Sequence, residues 1–319
     1  MSIVHASTVD EIRAALNDSN VTEIKVAPGD YYVDDHDAGQ GFVIDRDVAI
    51  VSSVEGERAN FHAGADFLKG IFLVKSGSSA SFDGIGFYDT RTQFGEFQEG
   101  NEAAIRHEGD QLTIKNSYCE GNSNAILGSH IDHTQDKHLV VENSTFIDNG
   151  RTSQEHHIYF IGNSVDVSGS YFSNSNNGHA IKTVVSDCTR VTSSTIDDGD
   201  APANHAINVT GGGDLFVSGN TITKSSTADN PYVIFYVPQR GYDSGTVTIE
   251  NNTIHTDWDG STGGTLLLGN FSSSVAQLSS NTLTGSFATN LFYGLAEDSE
   301  STINGRALSE DNWLSLIHI

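Results

Sequence analysis

The sequence predicts an all-β chain, a right-handed parallel β-helix in which short strands stack into a solenoid of about ten rungs. A six-residue motif, apolar at both ends with Asn, Ser or Gly between them, recurs at a mean interval of 28 residues. Repeats of this length are typical of solenoids. The 319 residues include 32 Gly but only 4 Pro and 1 Met, which favours regular β structure over helices.

Two sets of short segments predict the strands. The motif occupies residues 82–87, 114–119, 141–146, 167–172, 191–196, 217–222, 249–254 and 278–283. A second apolar segment precedes most copies, at residues 104–106, 125–127, 157–159, 180–182, 206–208 and 233–235. These segments are too short for helices and are bounded by Gly, Asn, Ser or Asp, so we expect strands joined by turns. A β-sandwich, the competing fold, would not keep one residue class in register so often.

The first 20 residues predict a cap with a short helix. Ser7 with Asp10 and Thr8 with Glu11 form two overlapping capping boxes ahead of an amphipathic segment. A helix here would cover the end of the solenoid, where stacked strands otherwise expose unpaired edges.

Residues 21–313 are assigned to the β-helix, beginning with a strand at 23–26. No C-terminal cap is recognisable, so we expect the natural chain to continue further. The final segment 314–319 reads like the translation of a sequencing-library adapter, and we leave it out of the fold.

The two cysteines are predicted to be free thiols. Cys119 occupies the motif column held elsewhere by Phe146 and Phe172, so it should point inward as a small apolar residue. Cys188 lies three rungs later, roughly 14 Å away at the spacing of adjacent strands. A disulfide needs Cα atoms within about 7 Å.

The net charge of −26, from 42 acidic and 16 basic residues, limits the partners. A field of this sign repels nucleic acid and anionic membrane surfaces, and no apolar run is long enough for membrane insertion. We interpret the acidity as adaptation to high salt, with an acidic mesophilic protein as the alternative. At 1 M salt the Debye length falls to about 3 Å, so a polyanionic substrate would no longer be repelled.

One outward column of side chains predicts a functional strip. In the second set of strands the residue after each inward apolar position points outward: Arg106, Leu127, Tyr159, Lys182, Asn208 and Phe235. Tyr159, Lys182 and Asn208 should therefore be vertical neighbours about 5 Å apart, with Arg106 two rungs before Tyr159. The alternative is an ordinary exposed strand face.

A column of histidines lies at the entrance of the same strands. It contains His156, His179 and His205, with His157 beside it. The column could supply a catalytic base, or it could be a hydrogen-bonding ladder at a turn.

These residue types suit proton abstraction from C5 of a uronate sugar. The reaction needs a base and a cation that neutralises the substrate carboxylate. Lys182 or Arg106 could supply the charge, a histidine or Lys182 the base, and Tyr159 the proton for the departing oxygen.

Metal and aromatic signals are weaker. Segment 128–138 concentrates three His and two Asp, and the acidic turns at 197–200 and 257–260 could hold Ca²⁺. No segment has a full ligand spacing, so no metal ligand is assigned. Tyr236 and Arg240 are assigned to substrate binding. Tyr242 is a further aromatic that could stack on a sugar ring, whereas Phe94 and Phe97 are expected to anchor a loop.

The sequence resembles the pectate-lyase-like superfamily of bacterial right-handed β-helix proteins, from the cap to about residue 285. The resemblance rests on His-His-Ile-Tyr at 156–159, Gly-His-Ala-Ile-Lys at 178–182 and Ile-Asn at 207–208. Thr183 and Asn208 stand where such relatives have a serine and an acid. The superfamily includes pectate and alginate lyases and mannuronan C5-epimerases.

We therefore expect a protein that acts on an acidic, uronate-containing polysaccharide by β-elimination or C5-epimerisation. The expected catalytic residues are Lys182, Tyr159, His179, His156 and Arg106. The expected substrate-binding residues are Asn208, His157, His205, Tyr236 and Arg240. The alternatives are a non-catalytic glycan-binding surface or viral tail-spike protein, and a purely structural solenoid. An extracellular or cell-surface location is expected, without an N-terminal signal peptide, because the first residues lack its basic and apolar regions.

Overall fold

The computed structural model describes residues 2–34, 40–64, 69–91, 102–128, 136–238, 244–258, 263–269, 275–287, 291–293 and 296–308. The elements are, in chain order, β1 Ser2–Ala6, α1 Val9–Asn17, β2 Val21–Val26, β3 Gly29–Val33, β4 Gln40–Ile44, β5 Val48–Ser52, β6 Ala59–Ala63, β7 Gly70–Val74, β8 Ala80–Asp83, β9 Ile85–Tyr88, β10 Ala103–His107, β11 Gln111–Lys115, β12 Tyr118–Glu120, β13 Ile126–Gly128, β14 His138–Glu142, β15 Thr145–Ile147, β16 Ile158–Ser168, β17 Tyr171–Ser173, β18 Ile181–Thr192, β19 Thr195–Asp197, β20 Ile207–Val209, β21 Gly213–Ser218, β22 Thr221–Lys224, β23 Tyr232–Tyr236, β24 Ser244–Glu250, β25 Thr253–Thr256, β26 Thr265–Gly269, β27 Ala276–Ser279, β28 Thr282–Gly285, β29 Phe292–Tyr293, β30 Ala296–Ser299, β31 Thr302–Ile303 and β32 Arg306–Ala307.

The strands form three faces of parallel strands that the chain visits in turn, once per coil. Face 1 contains β4, β7, β10, β13, the first parts of β16 and β18, β20, β23, β26 and β29. Face 2 contains β1, β2, β5, β8, β11, β14, the second parts of β16 and β18, β21, β24, β27 and β30. Face 3 is a separate 12-stranded sheet from β3 to β32. Because β16 and β18 run unbroken across one corner, faces 1 and 2 are counted as a single 20-stranded sheet.

This arrangement confirms the predicted solenoid of parallel strands. Each strand pairs with its equivalents in the coils before and after it, and only the terminal β31–β32 pair among the described strands is antiparallel. The inward positions of the three faces meet in one continuous apolar core, which the motif residues Phe82, Ile114 and Val141 join with no exposed surface. Burying each such side chain contributes about 1.5–3 kcal/mol.

The turn between faces 2 and 3 explains the third position of the motif. Residues there adopt positive φ angles between +48° and +68°, at Gly84, Asn116, Asn143, Gly169, Ser193, Gly219, Asn251 and Ser280. Glycine adopts this left-handed conformation without steric cost, and asparagine tolerates it better than most residues. The recurring Asn and Gly in the sequence therefore mark a tight corner in each coil.

The fourth position of the motif forms a buried polar ladder. From Ser117 onward, the side-chain oxygen of each member accepts the backbone N–H of the equivalent residue one coil earlier, at 2.9–3.2 Å. The members are Ser117, Ser144, Ser170, Ser194, Asn220, Asn252, Asn281 and Ser301. Buried backbone groups need such partners, so the ladder holds one coil in register with the next.

Helix α1 packs on the first coil through the buried side chains Ile12, Ala15 and Leu16. The Thr8 hydroxyl accepts the N–H of Glu11, and the Glu11 carboxylate reaches back to the N–H of Ser7 at 2.7 Å. The capping box therefore centres on Thr8 and Glu11. The other predicted box, Ser7 with Asp10, does not form, because Glu11 takes its place and Asp10 pairs with Arg13 instead.

The C-terminal end of α1 is capped from the next coil. The guanidinium of Arg46 donates to the carbonyls of Ala15, at 3.0 Å, and of Leu16. The last turn of α1 has no basic residue of its own, so Arg46 supplies the positive charge that a helix C-terminus favours. None of the described residues belongs to a helix long and apolar enough to cross a membrane.

Both cysteines are free, as predicted. Cys119 is buried in register with Phe87 and Phe146, and burial raises the pKa of its thiol. Cys188 is partly exposed on face 2, and partial burial raises its pKa as well. The suspected adapter segment 314–319 lies outside the described residues.

The ladder predicts different effects for two adjacent asparagines. Asn252 bonds Asn220, Val217 and Asn281, so Asn252→Ala should lower the free energy of unfolding by about 2–4 kcal/mol, since each buried partner left unpaired costs about 1–3 kcal/mol. Asn251→Gly should leave stability nearly unchanged, because Asn251 is exposed and its φ of +55° suits glycine. Denaturant unfolding measures both variants. Equal stability of the two would contradict the ladder.

The thiols should differ in reactivity. In the native protein a soluble thiol reagent should label Cys188 slowly and leave Cys119 unmodified, because the thiolate is the reactive species and Cys119 is enclosed. Mass spectrometry after timed labelling, with and without denaturant, measures this. Native labelling that survives in a Cys188→Ser variant would show that Cys119 is accessible.

Candidate functional site

The outward column of face 1 places the predicted strip residues together. Tyr159 pairs with Lys182, and Lys182 pairs with Asn208, on successive coils. In the other direction, Tyr159 pairs with Leu127 and Leu127 with Arg106. The register thus confirms the expected order, and we call the column from Arg106 to Asn208 the face 1 strip.

Lys182 and Tyr159 form the centre of the strip. The Lys182 ammonium lies 4.8 Å from the centroid of the Tyr159 ring, a cation–π contact, and both side chains are partly exposed. The edge of Tyr159 in turn meets the ring of His156 at a centroid distance of 5.5 Å and an interplanar angle of 84°. A positive charge and a phenol therefore lie together on the surface, with a buried imidazole directly beneath them.

Arg106 lies apart from this centre. Leu127 separates Arg106 from Tyr159, and the Nε of Arg106 lies 3.5 Å from the carboxylate of Glu108, which also pairs with Lys69. Glu108 offsets part of the Arg106 charge. We conclude that Lys182, rather than Arg106, is the cation next to the tyrosine.

The histidine column forms a hydrogen-bonded ladder. The rings of His156, His179 and His205 stack at centroid distances of 4.8 and 4.9 Å. The backbone N–H of His179 donates to His156 Nδ1 at 3.0 Å, and that of His205 donates to His179 Nδ1 at 3.1 Å. The N–H of His156 donates to Asn124 Oδ1 at 2.8 Å, so an asparagine begins the ladder. The turn ladder considered for these residues is therefore present.

The histidines are held in the neutral form. Burial lowers the pKa of His156 and His179 well below the ordinary value of 6.5, and nearby Lys182 lowers both further. Burial, followed by the charges of Lys224 and Lys182, lowers the pKa of His205 to about 3. His156 has no exposed surface and His179 has 6%, whereas His205 remains partly exposed.

Asn208, the last member of the face 1 strip, is buried below its surface. It is only 5% exposed, and its amide lies 3.2 Å from both His179 Nε2 and His205 Nδ1. The expectation that Asn208 binds substrate is corrected, because its polar group is used inside the protein.

The expectation that His157 binds substrate is also corrected. Its side chain enters the core, where it has no exposed surface, lies beside the rings of Phe146 and Phe172, and accepts a hydrogen bond from the Asn149 amide at 2.9 Å. His157 lies at the corner before the strand, where the chain changes direction and simple alternation of side chains does not apply. It cannot touch a substrate on the strip.

The third correction concerns Tyr236, which was expected to bind substrate. Phe235 pairs with Asn208 and faces outward, so the next residue, Tyr236, faces inward and has no exposed surface. Its hydroxyl donates to the Gly213 carbonyl at 2.7 Å and accepts the Gly245 N–H at 2.8 Å. The assignment of Tyr236 to substrate binding is therefore wrong. Other residues singled out in the sequence lie outside the described part of the chain: Phe94, Phe97, Arg240 and Tyr242.

Comparison with known protein families supports this architecture. Residues 129–307, more than half of the chain, match the family described as "Right handed beta helix region". The chain belongs to the right-handed β-helix family. No curated protein matches this β-helix. The match supplies the handedness of the coil, and with the parallel strand pairing it confirms the predicted fold class.

A buried ion pair behind the histidine column was not predicted from the sequence. Lys224 Nζ lies 3.3 Å from Asp198 Oδ2 and donates to the Asn204 carbonyl at 2.5 Å, with 1% and 4% of the two charged side chains exposed. Lys224 follows the inward residue Ile222 by two positions in β22, so strand alternation could have indicated its burial. Burial raises the pKa of Asp198 and lowers that of Lys224, and each opposes the other's shift.

The metal signals of the sequence find little support. Asp198 of the acidic turn 197–200 is bound to Lys224, and Asp257 of the turn 257–260 contacts His255 Nε2 at 2.9 Å. Among the residues that the structure describes, no group of three or more His, Cys, Asp or Glu is arranged to hold a metal ion. Of segment 128–138, residues 129–135 are outside that description, and His138 bonds the Ser164 hydroxyl at 2.7 Å.

The buried pair predicts a pH-dependent loss of stability. Lys224→Met should lower the free energy of unfolding by about 3–5 kcal/mol at neutral pH, because the Asp198 carboxylate is left buried without its cation. The cost is fully present above the raised pKa of Asp198 and fades as the pH falls toward the ordinary carboxyl value of 3.8, since the neutral acid is cheaper to bury.

Denaturant unfolding at pH 7 and at pH 4–5 measures the effect. Lys115→Met is the matched control, because Lys115 pairs with Glu142 on the exposed surface of face 2 and should lose little stability. A Lys224→Met variant as stable as this control, or equally destabilised at both pH values, would contradict the argument.

Proposed function

We propose that this β-helix acts on an acidic, uronate-containing polysaccharide, by β-elimination or by C5-epimerisation. The observation that supports the proposal is the Lys182 ammonium above the Tyr159 ring, on an exposed strip that a neutral histidine column adjoins. Loss of the C5 proton moves negative charge into the sugar carboxylate. A cation already in place stabilises that charge more strongly than water can.

The roles follow from the chemistry of each group. Lys182 pairs with the carboxylate, and a histidine of the column takes the C5 proton. In β-elimination the electron pair of the C5–H bond forms the C4–C5 double bond, the C4–O bond breaks, and the Tyr159 hydroxyl gives its proton to the departing oxygen. In epimerisation the C4–O bond stays intact, the histidine keeps the proton that it removed, and the Tyr159 hydroxyl gives its proton to the opposite face of C5. We assign Arg106, two coils away, to the carboxylate of another sugar in the same polymer.

The acidity of the chain sets the conditions for this activity. A net charge of −26 repels a polyuronate at low ionic strength, whereas molar salt reduces the Debye length to about 3 Å and removes most of the repulsion. We therefore propose that the protein works in a salt-rich medium outside the cell, where such polymers occur.

A non-catalytic glycan-binding β-helix is the second candidate. The observation in its favour is that His156 and His179 are buried and use Nδ1 to hold the backbone of the next coil, as a purely structural ladder would. In that case the strip binds glycans without changing them, and replacing Lys182 by an apolar residue of similar size leaves binding in place.

The decisive experiment offers pectate, alginate and other uronate polymers to the purified protein, with and without Ca²⁺, at low and at molar salt. A lyase produces unsaturated uronates that absorb in the ultraviolet, and an epimerase changes the sugar composition seen by NMR. Lys182→Met should reduce the rate by roughly 10²–10³-fold, the usual effect of removing a group that stabilises transition-state charge.

Lys115→Met is the control, because it removes an exposed lysine on face 2, away from the strip. Equal rates for the two variants would contradict the role of Lys182. Binding without product, retained in Lys182→Met, would support the glycan-binding candidate, and neither binding nor product would contradict both.

A further inference from the structure

Resting on the proposed function, we infer that His205 Nε2 is the proton-accepting atom of the face 1 strip. Asn208 is the positioning residue: it holds the proton of His205 on Nδ1, which leaves the lone pair on Nε2. The three histidines of the column look alike in sequence, but the direction of their hydrogen bonds distinguishes His205 from the other two.

The first step is the tautomer of the lower two rings. His156 Nδ1 and His179 Nδ1 each accept a backbone N–H, at 3.0 and 3.1 Å. A ring nitrogen that accepts an N–H carries its lone pair and no proton, and a neutral imidazole has one protonated nitrogen. Because both rings are neutral, each carries its proton on Nε2. His179 Nε2 is thus a donor that points at Asn208.

The second step is the orientation of the Asn208 amide. A half-turn about its last torsion exchanges the amide oxygen and nitrogen, so the hydrogen-bond network decides between them. With the nitrogen toward the rings, the amide oxygen is buried without a hydrogen-bond partner among the described residues. With the oxygen toward the rings, it accepts the Nε2–H of His179 across the 3.2 Å contact. The second orientation gives the amide oxygen a partner and removes the contact between two donors, the amide N–H and the His179 Nε2–H.

The third step is the tautomer of His205. Its Nδ1 lies 3.2 Å from the same Asn208 amide and 3.1 Å from His179 Nδ1, which carries a lone pair. The Asn208 oxygen is an acceptor, and His179 Nδ1, whose lone pair already accepts the backbone N–H of His205, has no proton to donate, so His205 Nδ1 carries the proton. His205 Nε2 then holds the lone pair of the neutral ring and can accept a proton.

The end of the ladder explains why His205 differs. The residue above it is Tyr232, which stacks on His205 at 6.0 Å and whose backbone N–H donates to Asn230 Oδ1. Among the described residues, therefore, no backbone N–H donates to His205 Nδ1 as one does to Nδ1 of each of the two rings below.

The position of His205 suits a base. Of the three rings in the column, that of His205 keeps the larger exposed surface. His156 Nε2, by contrast, is enclosed without a partner among the described residues. In the reaction, His205 Nε2 bonds to the C5 proton, the ring becomes an imidazolium, and the electron pair passes toward C4 and the carboxylate that Lys182 neutralises.

The His205→Asn variant distinguishes a catalytic role of His205 from a role in the stability of the fold. In His205→Asn the new amide nitrogen lies where Nδ1 was and can still donate to Asn208, but nothing replaces Nε2. We expect unchanged thermal unfolding and a roughly 10²–10⁴-fold lower kcat on a uronate polymer, with little change in KM, as for loss of a general base. His255→Asn is the control, because His255 is a partly exposed histidine of face 3.

A second measurement needs no substrate. The ¹⁵N shifts of the histidine rings distinguish the tautomers, and the signals that vanish in His205→Asn belong to His205. We expect the proton of His205 on Nδ1 in the wild type and in Asn208→Asp, whose carboxylate still accepts, and a mixture of tautomers with a lower kcat in Asn208→Leu. A His205 proton on Nε2 in the wild type, or a His205→Asn variant with the wild-type rate, would overturn the inference.

The two proposals can fail separately. A wild-type protein with the His205 proton on Nδ1 and no turnover of any uronate polymer contradicts the proposed function and the role of His205 as base, while it supports the positioning by Asn208. Turnover that persists in His205→Asn but is lost in Lys182→Met supports the function and overturns the inference.

Discussion

The structure depends on the need to give every buried backbone N–H a partner at the corners of each coil. Strand residues and the third motif position find that partner in a backbone carbonyl of the neighbouring coil, whereas the fourth motif position uses a side chain. Here a side-chain oxygen from the next coil accepts the bond, from Ser117 through Asn252 to Ser301. Since a slip of one residue would turn each strand's apolar side chains toward water, the corner ladder and the apolar core select the same register.

The histidine column is the same device built from a different side chain. Asn124 begins it with an amide oxygen, and His156 and His179 continue it with Nδ1. In a serine or asparagine the side-chain oxygen accepts the backbone N–H. In a histidine Nδ1 accepts that N–H, and Nε2 is left to make another hydrogen bond. A structural ladder made of histidine therefore places ionisable rings beside an exposed strip. Among the described residues, no backbone N–H from the following coil donates to Nδ1 of its last member, His205.

Two lysines near the histidine column have different environments, since one is buried and the other is partly exposed. Lys224 is neutralised inside the protein by Asp198, while Lys182 lies on the strip above Tyr159. Both charges, together with burial, hold the nearby histidines neutral. In a chain with 42 acidic and 16 basic residues, Lys182 is thus a partly exposed cation on a strongly negative molecule.

The sequence by itself determined the solenoid, the corner motif, the inward Cys119 and the vertical order of Tyr159, Lys182 and Asn208, because all of these follow from a repeat length and from alternation along strands. Alternation also places Tyr236 inside, and applying it there would have avoided that error. Only the tertiary structure decided the burial of His157, the amide of Asn208 between two rings and the Lys224–Asp198 pair. These depend on how the chain turns at corners and on contacts between coils, where side-chain direction follows no period that a sequence displays.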